Sequence, residues 1–280
     1  MILMSKRILA AACAAATALA LSACSPSAST GGKTSKDGTL TVMASFYPLK
    51  YLAEKVGGEH VTVTSLTPDG AEPHDLELSP KMVDSLASAD AVVYLAGFQG
   101  AVDEAVEQHA PKTVIDVSPA AQLVAIDSTS NHPGEDEGTD EAQSGEAQSG
   151  EAADHDHEGH EHEGHDHEHA DHDHHHDMSM DPHFWLDPAR MANAATLVGD
   201  KLAEADPTNA ETYKANAQAL NEELTSLGDN LVAKTSTCQI KTFVTAHTAF
   251  GYLADRTGLT QVGISGLDPE SSPSPARLAE

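Results

Sequence analysis

Thr39-Leu40-Thr41-Val42-Met43-Ala44 reads as a strand, and His60-Val61-Thr62-Val63-Thr64-Ser65-Leu66 reads as a second one with β-branched alternation. Between them, residues 48–56 open on Pro48 and stop at Gly57-Gly58, the start and stop of a helix. The same order continues downstream. Ser79 as N-cap and Pro80 as first helical residue introduce a helix over 81–87, followed by a strand over 91–95, a helix over 100–109 and a strand over 113–117. Strands alternating with helices predict an α/β fold built on a mainly parallel sheet with helices on its faces.

The pattern resumes near the end of the chain. Asp187 caps and Pro188 begins a helix to about residue 205, and Asp206-Pro207 restarts it. Residues 208–234 form one long helix in which Tyr213, Ala217, Leu220, Leu224, Leu227 and Leu231 keep helical spacing. Its length suits a strut between two lobes. A strand over 241–246, a helix over 249–257 ended by Gly258 and a strand over 261–264 follow. Ser272-Pro273-Ser274-Pro275 opens a last helix that reaches Glu280 with no cap and no third strand, so the second lobe is expected to be cut short.

Residues 131–180 interrupt this order. A Glu-Ala-Gln-Ser-Gly repeat starts at Glu141 and Glu146, and no Lys or Arg occurs over 113–189. The second half of the segment carries His155, His157, His160, His162, His165, His167, His169, His172, His174, His175 and His176 among acids. Few apolar groups and high charge cannot offset chain entropy, so disorder is expected in the absence of metal. Neutral imidazole is the commonest protein ligand for zinc-like ions, and this density of it points to transition-metal handling. A weak reservoir of several ions is one role for the loop. A solvated acidic linker is the other.

The formal net charge is −29, with 15 Lys and Arg against 44 Asp and Glu. Most of it sits in the His-rich segment, and no basic stripe exists to neutralise phosphate, which argues against nucleic acid as a partner. At the N-terminus, Lys6 and Arg7 precede an apolar stretch over 8–21 that has the shape of a secretory signal. It ends in Leu21-Ser22-Ala23-Cys24, which resembles the lipobox of bacterial lipoproteins. That resemblance implies a signal peptide over 1–23, a lipid on Cys24, a flexible tether over 24–37 and an extracytoplasmic location on the outer face of a bacterial membrane. An ordinary signal peptide that happens to contain a Cys is the alternative. Cys13 leaves with the signal and Cys24 would be acylated. Cys238 is then either a buried apolar residue or one whose partner lies beyond this sequence.

Three of the histidines outside the loop are set apart by their surroundings. His74 follows the strand ending at Leu66, His183 sits between the loop and a helix start, and His247 directly follows the strand ending at Ala246. In open α/β sheets, ligands bind outside the carboxyl ends of strands, where two of the three lie. Each also has a rigid local frame: Pro73 precedes His74, Pro182 precedes His183, and Thr248-Ala249 begins a helix after His247.

Gly70-Ala71-Glu72-Pro73-His74-Asp75-Leu76-Glu77-Leu78-Ser79-Pro80 resembles the first metal-ligand motif of the metal-binding solute-binding lipoproteins of ABC transporters. Asp181-Pro182-His183-Phe184-Trp185-Leu186-Asp187-Pro188 is similar to their second, and Val244-Thr245-Ala246-His247-Thr248-Ala249-Phe250-Gly251-Tyr252-Leu253 to their third. Gly266-Leu267-Asp268-Pro269-Glu270 matches a later segment. A His-rich loop before the second ligand is typical of the high-affinity zinc uptake, or ZnuA-type, members. The resemblance implies two α/β lobes joined by one long rigid helix, with a metal cleft between them. On that pattern, residues 38–130 are the N-terminal lobe, 181–236 the hinge segment and linking helix, and 237–280 the C-terminal lobe.

It also implies His74, His183 and His247 as ligands, Zn²⁺ as the ion and an ABC permease in the cytoplasmic membrane as partner of a monomer. Manganese binders of this kind carry Glu at the third position, whereas three imidazoles favour zinc. The fourth family ligand is a carboxylate from the distal part of the second lobe, or else a water or a nearby Glu, and Glu72 is the candidate substitute. A zinc-sequestering or adhesin-like lipoprotein without import, and a manganese-binding homologue, are the alternatives. Three imidazoles with an open position also describe a zinc hydrolase, but His-Glu-x-x-His spacing is missing from the chain, so no enzyme is expected.

Overall fold

β1 (Leu40–Ala44), β2 (Val61–Ser65), β3 (Ala91–Tyr94) and β4 (Thr113–Asp116) form the expected parallel sheet, in the order β2-β1-β3-β4. Leu40 lies opposite Val61 and Ala44 opposite Ser65, so β1 and β2 end level with one another. The computed structural model describes residues 38–109, 111–126, 179–270 and 272. The expected signal peptide, the tether with Cys24, the loop histidines and the helix after Ser272 lie outside these residues.

Side chains alternate across a strand, and β1 uses both faces. Leu40, Val42 and Ala44 join one core with Leu49, Leu52 and Val56 of α1 (Tyr47–Gly57). Met43 points the other way, into a second core with Leu86 of α2 (Pro80–Ser88) and Val102 and Val106 of α3 (Gly100–His109). Burial on both faces is the usual condition of a parallel sheet. A short α4 (Ser118–Ala121) follows β4; the strand–helix reading did not include it.

α5 (Pro188–Ala205) starts as expected, with the Asp187 carboxylate accepting from the Ala189 N–H at 2.9 Å. α6 (Ala210–Ser236) packs along α5 and against α1. A Cβ on Gly199 of α5 would stand 2.5 Å from the Ala217 Cβ of α6, so glycine sets how closely the two helices approach. Deleting a buried side chain here, as in Leu202→Ala, is expected to cost about 2–5 kcal/mol.

Several expectations are corrected. Leu227 is 48% exposed; Gly228 is buried instead, beside Pro188 and Arg256. Ser79 precedes α2 but makes no side-chain cap bond. Cys238 is exposed rather than buried. The helix after His247, α7 (Gly251–Thr257), begins two residues later than expected, because Thr248 and Ala249 are used in the turn that presents the histidine.

β5 (Thr242–Thr245) and β6 (Thr260–Gly263) pair in parallel as a second sheet. Among the described residues, no helix is long and apolar enough to cross a membrane.

Candidate metal centre

His74 rides on a loop that leaves the carboxyl end of β2. The Leu66 N–H donates to the Ala44 carbonyl at 2.7 Å, and the Thr67 N–H to the Ser45 carbonyl at 3.0 Å, so the loop starts in register with β1. Gly70 turns it with a φ of 80°, a conformation that favours glycine. Gln99, buried to 2% exposure, then pins it: its Nε2 donates to the Pro73 carbonyl at 2.9 Å and to Thr67 Oγ1 at 3.0 Å. The imidazole of His74 meets Phe98 edge-on, with ring centroids 4.9 Å apart. Its buried Nδ1 has no hydrogen-bond partner among the described residues.

His183 precedes a single 3-10 turn (Phe184–Leu186) that leads into Asp187 and α5. Both His183 and Asp181 are buried, at 1% and 0% exposure. Asp181 Oδ1 accepts the His183 N–H at 2.9 Å and meets Nδ1 at 2.8 Å. An ionised carboxylate only accepts, so Nδ1 carries the proton and Nε2 keeps its lone pair. That Nε2 lies 3.3 Å from Nε2 of His74.

His247 follows β5 and is fixed through its backbone. Its carbonyl accepts from Thr245 Oγ1 at 2.8 Å and from Gln261 Nε2 of β6 at 3.2 Å. The next residue, Thr248, donates its N–H to the Gly266 carbonyl at 2.7 Å. The His247 ring centroid lies 5.4 Å from that of His183 and 6.2 Å from that of His74.

Each of the three histidines therefore offers one ring nitrogen within 4.8 Å of the others, close enough to share one ion. Phe46, Phe98 and Trp185 wall the site: Phe46 contacts both other rings, and Trp185 stands 5.1 Å from His183. Burial, then the positive charges of protonated His183 and His247, lowers the His74 pKa to about 4, against an upward pull from Asp268 and Asp181. Burial, then His183, also lowers that of His247, while Glu72, Asp268 and Asp181 raise it. Both imidazoles are thus neutral at pH 7, the state in which they bind a cation.

Glu72 stays outside the group of three; its carboxylate turns back to accept the His74 N–H at 3.2 Å. The sequence reading named neither Asp181 as the partner of His183, nor Gln99 as the pin of the His74 loop, nor Asp268 as the acid whose charge reaches both His74 and His247. The Asp-x-His spacing at residues 181–183 was the one available signal for the first; the other two are long-range contacts with no local signature.

The family model for ZnuA, the periplasmic zinc-uptake complex component A, matches residues 42–280. The zinc-binding lipoprotein AdcA of Streptococcus pneumoniae is 35% identical over 247 residues, covering 87% of this chain and 42% of AdcA. The chain thus spans less than half the length of that relative. The high-affinity zinc uptake system protein ZnuA of Bacillus subtilis is 31% identical over 271 residues, covering 95% of this chain and 73% of that protein. Among solved structures, the Zn(II)-bound ZnuA-like domain of S. pneumoniae AdcA superposes with a TM-score of 0.59 at 30% identity, over 86% of this chain and 73% of the domain.

Proposed function

The chain belongs to the ZnuA family of zinc-uptake components, and from that premise we propose that it captures extracytoplasmic Zn²⁺ on His74, His183 and His247 and hands it to an ABC permease. The observation that carries this reading is the convergence of three ring nitrogens within 4.8 Å of one another. Neutral imidazoles suit Zn²⁺, whereas Mn²⁺ and other harder ions favour sites richer in oxygen. The names of AdcA and of the B. subtilis zinc uptake protein support the same ion.

On this reading the four-stranded region with His74 and the β5–β6 region with His247 are two lobes, α6 is the strut between them and His183 sits at the hinge. An ion shared by all three rings holds the lobes together, and opening them releases it to the permease. The step is binding and transfer, with no covalent chemistry. Cys24 carries the lipid that keeps the protein at the membrane, and the His-rich loop holds further zinc weakly beside the site.

Calorimetry on the full chain tests the reading. One tight zinc equivalent is expected, plus weaker equivalents that disappear when residues 132–178 are deleted. Wild-type affinity in all of His74→Ala, His183→Ala and His247→Ala rejects the site; an unchanged zinc count after the deletion rejects the reservoir. Zinc-dependent uptake in cells that also carry an ABC permease and ATPase of this family separates import from sequestration.

A further inference from the structure

We infer that Tyr252 is a positioning residue for the His183 imidazole, acting through Asp181. The inference rests on the reading of the three imidazoles as a zinc site. Tyr252 lies on α7, five residues beyond His247, and is buried to 1% exposure. Its hydroxyl donates to the Asp181 carbonyl at 2.7 Å and accepts from the Val124 N–H at 2.9 Å.

The two chain segments around that hydroxyl explain its effect. Ala125 and Met180 form an antiparallel bridge, and the Asp181 N–H donates to the Val124 carbonyl at 2.9 Å. An antiparallel pair bonded in this way normally exchanges two bonds, the second running from the Val124 N–H to the Asp181 carbonyl. Here the tyrosine hydroxyl is inserted into that second bond and satisfies both groups. It therefore sets the spacing between Val124 and Asp181.

Asp181 passes that spacing on, because one of its carboxylate oxygens holds both the backbone N–H and Nδ1 of His183. The ring of Tyr252 is itself held: the Arg190 guanidinium lies over it, 4.4 Å from the centroid, and also donates to the Ala121 carbonyl at 2.8 Å. Burial pushes the phenol up to about 12, so the hydroxyl remains a donor at neutral pH. Since α7 follows the turn bearing His247, one hydroxyl ties the carrier of the third imidazole to the anchor of the second.

Removing the hydroxyl leaves the Val124 N–H and the Asp181 carbonyl to close on each other, displacing Asp181 and with it His183. Groups that orient a metal-binding histidine typically change affinity by 10–100-fold. The test uses the full chain as wild type, Tyr252→Phe, Asp181→Ala and the double variant, with zinc affinity from chelator competition and Co²⁺ absorption as a report of ligand geometry. Tyr252→Phe is expected to weaken zinc roughly tenfold and alter the Co²⁺ bands, and the double variant to bind no more weakly than Asp181→Ala. Wild-type affinity and spectrum in Tyr252→Phe, or fully additive losses in the double variant, overturn the inference. Absence of tight zinc binding in the wild type overturns the zinc reading and this inference together. If circular dichroism shows that Tyr252→Phe is unfolded, Arg190→Ala, which frees the ring but keeps the hydroxyl, takes its place under the same requirement of non-additivity.

Discussion

The segment from Asp181 to Pro188 and the loop from Thr67 to Ser79 each deliver one histidine to the same place, by opposite means. In the first, His183 is buried, its Nδ1 is held by a buried carboxylate, and the chain runs straight into the cap of α5. Arg256 of α7 reaches the same capping residue, Asp187, through both carboxylate oxygens. In the second, His74 is half-buried, its Nδ1 has no described partner, and one glutamine amide pins its loop. On the proposed zinc reading, the difference is a division of labour: His183 is preorganised for the ion, and His74 adjusts to one already held. Preorganisation lowers the ordering cost at the moment of binding.

The largest effect expected from this contrast is at His183. His183→Ala should weaken zinc by more than the roughly 100-fold limit of outer-partner changes, and by more than His74→Ala or His247→Ala, as read by chelator competition. Equal losses at all three positions would remove the contrast. Next comes Asp181→Ala, expected to weaken zinc about 10–100-fold because His183 loses the acceptor that fixes its tautomer. The change should be accompanied by a shift of the His183 ring resonances in NMR. Gln99→Ala frees the other arm and should cost less, no more than about tenfold, since only the backbone of the His74 loop is released.

A prediction of another kind concerns the stability of the metal-free protein against pH. His74 titrates near 4 in the folded state and at the ordinary 6.5 when unfolded. Between those values the unfolded chain binds more protons, so stability falls as pH falls through 6.5 toward 4, and this group contributes no slope above that range. Thermal melts from pH 7.5 to 4.5 should show the decline, and His74→Ala should reduce it, leaving the part due to His247. A decline of the same size in that variant would assign it to other groups.

Much of this architecture was legible in the chain. Period-two strands separated by Pro- and Gly-bounded helices gave the parallel sheet, and Asp187-Pro188 marked the start of α5 where the structure has it. Of the histidines outside the loop, His74, His183 and His247, the three set in the quoted motifs, are the three that converge. What escaped depends on contacts distant in sequence. Tyr252 bonds to a residue 128 positions away, and Gln99 to one 26 away, with no periodicity to announce either. Leu227 keeps helical spacing yet faces outward, while its neighbour Gly228 lies buried against Pro188 and Arg256, contacts that no helical period announces. Residue type left Cys238 either buried or paired beyond this sequence, and its exposure just past α6 removes the first of these.

Zinc K-edge X-ray absorption on the full chain, loaded with one equivalent, tests the shared-ion claim most directly. The account predicts a shell containing three imidazole nitrogens at about 2.0–2.1 Å, which loses one imidazole in each of His74→Ala, His183→Ala and His247→Ala. A shell that is the same in the wild type and all three variants would contradict it.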